Sequence, residues 1–164
     1  MSNNRLFLLN ESKFLAMEGK YEKALEMVNQ LLLTISDDLD GLRLKGNILE
    51  LEVYAENSEV SDDDRKAKLA IVQKCYERIL ELNSNNILAL IDLGDYWQNQ
   101  SHFDKSLDYY DKAIYLLKEK HFYLSLEDEF VEAFRGKKDV LKKMNKEFEL
   151  DICQKEEKAI LSRP

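Results

Sequence analysis

Residues 87–120, ILALIDLGDYWQNQSHFDKSLDYYDKAIYLLKEK, decide the fold of this chain. The first half carries bulky side chains at helical spacing, Leu90, Tyr96 and Trp97, with the small Gly94 between them. The second half carries a matching stripe on one helical face, formed by Phe103, Ser106, Leu107, Tyr110, Ala113 and Ile114. A small residue lets a neighbouring helix approach closely, while large residues fill the space beside it. The stretch therefore predicts two amphipathic helices that pack against each other.

The same spacing recurs in three other parts of the chain, and self-similarity at a fixed period is typical of repeat proteins. The four repeats begin at Arg5, Leu39, Ile87 and Val131. Their fourth position is always bulky, with Leu8, Leu42, Leu90 and Phe134. Their eighth position is mostly small, with Ser12, Gly46, Gly94 and Lys138. The sequence thus predicts about eight helices, in repeats at 5–38, 39–86, 87–120 and 131–164.

This pattern resembles the tetratricopeptide repeat, a helix–turn–helix unit of about 34 residues. The family's signature slots are filled within 87–120 by Leu90, Leu93, Gly94, Trp97, Phe103, Ser106, Tyr110 and Ala113. The resemblance implies an all-α fold, an α-solenoid of about four such repeats in a single domain over 1–164. It also implies a concave groove, lined by the first helix of each repeat, that binds a segment of another protein.

Several local signals mark where helices begin or are interrupted. The acidic segment ENSEVSDDD, 56–64, predicts a loop inserted within the second repeat, and 121–130 predicts a spacer before the fourth. A serine hydroxyl can accept from the third amide of a helix, so S-x-x-D spacing predicts helix starts at Ser61, Ser101 and Ser125. Two more serines precede predicted helices and are expected to cap them, Ser36 and Ser84. The polar second half of the fourth repeat predicts a capping helix with a hydrated outer face.

Composition and charge argue against several classes of function. The 164 residues contain 24 Lys and Arg against 32 Asp and Glu, and the net charge of −8 repels the phosphates of nucleic acid. No run approaches the roughly 20 apolar residues of a membrane span, so no membrane partner is expected. The distant Cys75 and Cys153 favour a reducing cytoplasm over a disulfide framework.

The sequence also predicts a protein without catalysis, metal or cofactor. Neither His102 nor His121 has a Cys or carboxylate partner at metal-ligand spacing, and the sequence has no phosphate-binding loop or nucleophile elbow. A catalytic site whose residues are far apart in the sequence would show no motif of this kind. A pocket that joins either histidine to a buried carboxylate would therefore favour an enzyme instead.

The resemblance further implies which residues face the groove, because positions 2, 5, 9, 12 and 13 of each repeat line it in the family. From these positions we predict a set of partner-binding residues drawn from all four repeats. The set consists of Leu6, Leu9, Lys13, Met17, Arg43, Asn47, Leu88, Ile91, Asp95, Asn99, Arg135, Lys142 and Lys143.

Five members of this set are apolar, namely Leu6, Leu9, Met17, Leu88 and Ile91. If these side chains are exposed, they are typical of a partner site. The alternative is that they pack on neighbouring helices, in which case the assumed register of the repeats is imperfect.

A basic stripe is the second notable feature of the set. Residues 135–146 contain six bases and one acid, and Arg135, Lys138, Lys142 and Lys146 share one helical face. Such a stripe can hold acidic side chains or a terminal carboxylate. The alternative is a solvated face near a helix C-terminus, where cations suit the helix dipole.

Together these patterns favour a non-catalytic adaptor that binds a peptide or partner segment in its groove, with self-association as a further expected interaction. Two alternatives use the same surface. One is a small acidic secretion-type chaperone of bacteria, which would hold an extended client segment. The other is a partner-inhibiting, immunity-like protein, which would face a folded partner.

Overall fold

The computed structural model describes residues 2–56, 60–119 and 127–161. Within these described residues the chain forms eight α-helices and no strand. The helices are α1 (Ser2–Met17), α2 (Tyr21–Thr34), α3 (Leu39–Tyr54), α4 (Asp62–Leu82), α5 (Ile87–Asn99), α6 (Phe103–Glu119), α7 (Glu127–Lys143) and α8 (Glu147–Leu161). The chain divides into two compact units, Met1–Ser84 and Asn85–Pro164.

Each unit consists of two helical hairpins that pack on one another. In the first unit α1 pairs with α2 and α3 with α4, and α3 also contacts α1 and α2. In the second unit α5 pairs with α6 and α7 with α8, and α7 also contacts α5 and α6. The predicted fold class, an all-α chain of solenoid-type helix–turn–helix repeats, is confirmed.

The core of the first unit forms where the apolar stripes of α1, α2 and α3 meet. Leu8 and Leu9 of α1 lie with Val28 and Leu31 of α2 and Ile48 of α3 in one buried cluster. Burying a side chain of this size contributes roughly 1.5–3 kcal/mol. The helices are therefore held mainly by their packing, since helical stability in proteins comes chiefly from the burial of an apolar face.

The eighth position of a repeat is where the two helices of a hairpin come closest. At Gly46, an added Cβ would lie 2.5 Å from Cε1 of Tyr76, so a larger residue there would force the ring or the helix to move. The first repeat has Ser12 at this position, and its buried hydroxyl donates to the carbonyl of Ala24 on α2 at 2.8 Å. The recurring small residue therefore marks a close contact between helices.

The three hairpin turns that the structure describes in full each contain a residue in the left-handed region of the backbone. Gly19, Ser101 and Asn145 have φ values of +74°, +60° and +54°, and each is the fifteenth residue of its repeat. In all three turns, the N–H of this residue and that of the next donate to carbonyls of the preceding helix. This closure satisfies carbonyls that the end of a helix leaves without partners. Its recurrence at one repeat position supports the alignment of the repeats.

The structure confirms one of the predicted helix caps and corrects two others. Ser61 precedes α4, and its hydroxyl accepts from the N–H of Asp64 at 3.2 Å. The caps of α3 and α5 are instead Asp38 and Asn86, whose side chains accept from the third amide of each helix. The predictions for Ser36 and Ser84 were therefore wrong, because each helix begins two residues later than a serine cap requires.

The prediction for Ser101 was also wrong. The helix begins at Phe103, and Ser101 lies in the left-handed turn before it. Ser125 lies outside the described residues, as do 121–126 of the predicted spacer and 57–59 of the predicted acidic loop. The division into repeats at 5–38, 39–86, 87–120 and 131–164, and their union in one domain, stay predictions.

Candidate functional site

The candidate site in the second unit is organised by the ring of Tyr110. This side chain of α6 is fully buried between a glycine of α5 and a glycine of α7. An added Cβ would lie 2.6 Å from its Cε1 at Gly94 and 2.3 Å from its Cζ at Gly136. Both neighbouring helices must therefore carry glycine for the ring to fit.

The hydroxyl of Tyr110 reaches polar side chains of α5. It donates to Oδ1 of Asp95 at 2.5 Å and lies 3.3 Å from Oε1 of Gln98. Burial of the ring raises the pKa of Tyr110, and the negative charge and hydrogen bond of Asp95 raise it further. The positive charge of Arg135 on α7 acts in the opposite direction. The phenol is consequently neutral and a fixed donor to Asp95, and it lies near enough to Arg135 to be affected by its charge.

We call the surface around this point the α5–α7 face, defined by Asp95, Gln98, Asn99, Arg135, Lys142 and Lys143. Asn99 is one helical turn beyond Asp95, and Lys142 is two turns beyond Arg135, so each lies on the same side of its helix as its predecessor. Asp95, Asn99, Arg135, Lys142 and Lys143 are exposed. These six residues supply one carboxylate, two amides and three cations, and the carboxylates of Glu132 and Asp139 on α7 lie beside the cations.

Two bases of the predicted stripe region bind neighbouring helices instead of facing a partner. Lys137 lies 2.5 Å from Asp111 of α6, and Lys138 lies 2.6 Å from Glu157 of α8. The side chains of both lysines are mostly buried, at 19% and 22% exposure. The continuous stripe through Lys138 was thus an incorrect expectation, because that lysine links α7 to α8.

The remaining bases of α7 make only weak contacts within their own helix. Arg135 lies 3.9 Å from Glu132, and Lys142 lies 3.2 Å from Asp139. All four side chains are about half exposed, and surface pairs of this kind contribute roughly 0–1 kcal/mol. Such pairs exchange readily for another acidic group, so these cations can bind a ligand at little cost.

The first unit has an equivalent arrangement around Tyr76 of α4. Its buried ring lies on Gly46, and its hydroxyl lies 2.7 Å from Oδ1 of Asn47 and 2.8 Å from Oε2 of Glu50. Arg43 is half-buried one helical turn before Asn47. Two predicted groove residues of the second repeat thus lie on one side of α3, and one of them, Asn47, contacts a tyrosine hydroxyl.

The predicted apolar groove residues do not share one environment. Leu6 and Met17 are exposed and Leu88 is half-buried, whereas Leu9 and Ile91 are buried. Leu9 belongs to the core cluster of the first unit, because the helical register turns it toward α2 and α3. Leu9 and Ile91 therefore fit the alternative interpretation, in which these side chains pack on neighbouring helices. Lys13, on the same helix as Leu6, is exposed.

Sequence reasoning did not find the tyrosine hydroxyls or the exposed phenylalanines of α1, whereas Gln98 falls at position 12 of the third repeat, one of the groove positions. Tyr110 and Tyr76 were expected only as apolar packing residues. The sequence did contain one signal for the hydroxyls, namely a tyrosine opposite the glycine at the eighth position. Such a ring passes the glycine, so its hydroxyl lies on the far side. Phe14 occupies a repeat position that is otherwise packed, yet its side chain is 56% exposed.

Neither a metal-binding cluster nor a membrane-spanning helix is found in the part of the chain that the structure describes. In 2–56, 60–119 and 127–161, no cluster of three or more His, Cys, Asp or Glu residues could hold a metal ion. Across the same ranges, no helix has the length and apolar character required to cross a bilayer. His102 is exposed and packs edge-on against Trp97, with ring centroids 5.3 Å apart. His121 lies outside the described residues.

The chain is thus an all-helical repeat protein with a polar face between the first helices of its second unit. Among solved structures it is similar to one titled "Crystal structure of MamA protein", with a TM-score of 0.48 and 12% identity over 98% of this chain and 93% of that chain. It is also similar to a structure titled "MamA AMB-1 P212121", with a TM-score of 0.44 and 14% identity over 97% and 92% of the two chains. No protein-family model and no curated protein sequence matches the chain.

Proposed function

We propose that this chain is a protein-interaction module that holds an acidic segment of another protein against the α5–α7 face. The proposal rests on how weakly the exposed cations of α7 are paired. Arg135 and Lys142 form only weak ion pairs within α7. Lys137 and Lys138, in contrast, form ion pairs with acidic residues of α6 and α8. Exposed cations beside fixed hydrogen-bonding groups can recognise a carboxylate.

The chemistry of the face suits a peptide whose carboxylates and backbone are bound together. Arg135, Lys142 and Lys143 would take acidic side chains or a terminal carboxylate. Asp95 and the amides of Gln98 and Asn99 would pair with peptide N–H and C=O groups. Because the whole chain has a net charge of −8, an acidic partner is repelled elsewhere and directed to this basic segment.

We make further proposals about the role of this protein. We expect the module to act in the cytoplasm, without catalysis or a cofactor, and to belong to the tetratricopeptide-like repeats. A secretion-type chaperone and an immunity-like inhibitor remain alternatives within this class. The first would hold an unfolded client segment and the second a folded partner, so binding to a partner in its unfolded and its folded form separates them.

Peptide binding measured by fluorescence anisotropy tests the proposal. The probes are a labelled short peptide of alternating Glu and Leu with a free carboxyl terminus, and a matched peptide with Lys in place of Glu. We expect the acidic probe to bind and the basic probe not to bind. Because the contact is ionic and exposed, affinity should fall as salt is raised.

A matched pair of variants locates the binding. The triple change Arg135→Glu, Lys142→Glu and Lys143→Glu should weaken acidic-peptide binding by about tenfold or more, equivalent to roughly 1.4 kcal/mol. The control combines Lys66→Glu, Lys74→Glu and Lys112→Glu, which alters net charge equally at exposed positions of α4 and α6. Equal loss in the two variants, or equal binding of the two probes, would contradict the proposal.

A further inference from the structure

The outer face of α1 exposes a set of large apolar side chains. Leu6, Phe7 and Phe14 are 57%, 58% and 56% exposed, and Met17 is 87% exposed. Asn3 and Asn10 are also exposed and continue the same helical stripe, because Asn3, Phe7, Asn10, Phe14 and Met17 follow one another at spacings of three or four residues. We call these residues, together with Leu6, the α1 face.

Two residues of this face, Phe7 and Phe14, occupy repeat positions at which another helix packs on α3 and α7. Phe7 and Phe14 are the third and tenth residues of the first repeat. The same positions in α3 are Gly41 and Ile48, which are buried, and the Leu31 and Leu32 side chains of α2 lie within 3.2 Å of a Cβ added at Gly41.

The second unit repeats the observation. In α7 the third and tenth positions are Ala133 and Val140, both fully buried, and α6 packs on this helix. In α1 the equivalent residues are large, apolar and uncovered by the rest of the chain. Phe7 and Phe14 therefore have the chemistry and the repeat position of residues that a further amphipathic helix covers.

We infer that the α1 face of one copy packs antiparallel on the α1 face of a second copy to form a twofold-symmetric dimer. The stripe is nearly symmetric about Asn10, since Phe7 and Phe14 lie three residues before and four after it. Asn3 and Met17 lie seven residues to either side. When two such helices run antiparallel, Phe7 of each opposes Phe14 of the other, and Asn10 meets Asn10 at the twofold axis.

The central asparagine pair gives this arrangement its register. A polar residue within an otherwise apolar helix interface stabilises the alignment in which its hydrogen bonds are made. Two side-chain amides can each donate to and accept from the other across the axis. Lys13, which is exposed beside the stripe, lies near Phe7 of the second copy in this register and not near its own equivalent. Like charges are therefore kept apart.

The available area is consistent with a weak dimer. Taking about 200 Å² for a fully exposed large side chain, the four apolar residues offer on the order of 500 Å² per copy. Two such faces, with the polar side chains between them, reach roughly 1,200 Å², where specific interfaces begin. We expect dissociation in the micromolar range, about 8 kcal/mol of association free energy.

A head-to-tail contact is the competing arrangement of two copies. Phe148 and Ile152 of α8 are 74% and 48% exposed and could meet the α1 face of another copy. Such a contact does not close on itself and would build open chains instead of a dimer. The two arrangements require different residues, so variants of α1 and α8 separate them.

Analytical ultracentrifugation over a concentration series up to about 100 µM tests the dimer. We expect a monomer–dimer equilibrium for the unaltered chain, a monomer for Phe14→Glu, and an unchanged dimer for Phe148→Glu. Both changed positions are exposed, so circular dichroism should show the same helicity in all three proteins. A monomer at every concentration, a continuing series of larger species, or loss of the dimer in Phe148→Glu would overturn the inference.

Disulfide trapping tests the register. In the proposed dimer Asn10→Cys places two thiols at the twofold axis, whereas Asn3→Cys places each thiol beside Met17 of the other copy. Oxidation should crosslink Asn10→Cys into a dimer and leave Asn3→Cys monomeric on a non-reducing gel. Background is low because Cys75 and Cys153 are buried, and burial raises the pKa of both thiols. Equal crosslinking of the two variants would overturn the register.

Discussion

Gly136 of α7 lies directly against the ring of Tyr110 on α6, where an added Cβ would come within 2.3 Å of Cζ. A Cβ added at Gly94 of α5 would lie 2.6 Å from Cε1 of the same ring. Three helices therefore converge on one tyrosine, and its hydroxyl ends at Asp95. The packing that holds the second unit together also positions the polar groups of the α5–α7 face.

Gly136→Ala should destabilise the second unit. An alanine would gain about 1 kcal/mol in helix propensity, but the ring is enclosed and overpacking typically costs about 1–3 kcal/mol. We expect a net loss of up to about 2 kcal/mol in urea unfolding followed by circular dichroism. Gly41→Ala is the control, because its Cβ would meet leucine methyl groups at 3.1 Å that can shift. A larger loss for Gly41→Ala than for Gly136→Ala would contradict this account.

Ser106→Ala should weaken the α5–α6 hairpin. The buried hydroxyl of Ser106 donates to the carbonyl of Gly94 at 2.7 Å, as Ser12 does to Ala24 in the first repeat. Loss of one such hydrogen bond costs about 0.5–1.5 kcal/mol. Thermal unfolding should therefore show lower midpoints for Ser106→Ala and Ser12→Ala than for the unaltered chain. Ser84→Ala, at an exposed position, should shift the midpoint much less, and equal shifts would refute the interpretation.

Asp38 should contribute stability that is lost in acid. Burial acts to raise its pKa, but hydrogen bonds from Arg5 and the N–H of Gly41, together with the charge of Arg5, lower it below 3.8 overall. A folded-state pKa below the unfolded value means that the contribution is complete above the ordinary Asp pKa. It is lost as the pH falls from there through the lowered value.

Asp38→Asn isolates this effect, because asparagine still caps α3 but cannot form the ion pair with Arg5. The stability difference between the unaltered chain and Asp38→Asn should shrink as the pH falls below about 4. Asp38→Ala should additionally lose the cap, about 1 kcal/mol. Urea unfolding at several pH values measures both, and a difference that grows on acidification would be the opposite of what we expect.

Tyr110 should make the second unit sensitive to alkali. Burial and the neighbouring Asp95 raise its pKa above the ordinary value of 10.0, so the folded chain keeps the phenolic proton longer than the unfolded chain. Stability from this source is complete below pH 10 and is lost as the pH rises further. The unaltered chain should lose stability relative to Tyr110→Phe above that pH. A constant difference between the two proteins across this range would show that Tyr110 is not perturbed.

The helical repeats could be predicted from the sequence because they depend on spacing along one chain. Glycine at position eight and bulky residues around it directly reflect helix packing. The caps were harder to predict, since Asp38 and Ser36 both precede α3 and both are good capping residues. Only the position at which the helix begins, set by the preceding turn, selects between them.

The candidate site was only partly predictable. Asp95 and Arg135 were both expected on the groove, but their proximity depends on how deeply Tyr110 passes between Gly94 and Gly136. Lys138 has the same charge as Lys142 and lies on the same helical stripe, yet it forms an ion pair with Glu157 of α8. Burial of Leu9 likewise depends on contacts with α2 and α3 that spacing along α1 does not specify.

The central claim is that the α5–α7 face is where a partner segment binds. Its most direct test is a titration of isotope-labelled protein with the Glu–Leu peptide, followed by amide NMR chemical shifts. We expect saturable shifts concentrated at Asp95, Gln98, Asn99, Arg135 and Lys142, with little change in the first unit. Shifts that are largest outside this face would contradict the claim, as would a shift pattern that persists in the triple charge-reversal variant.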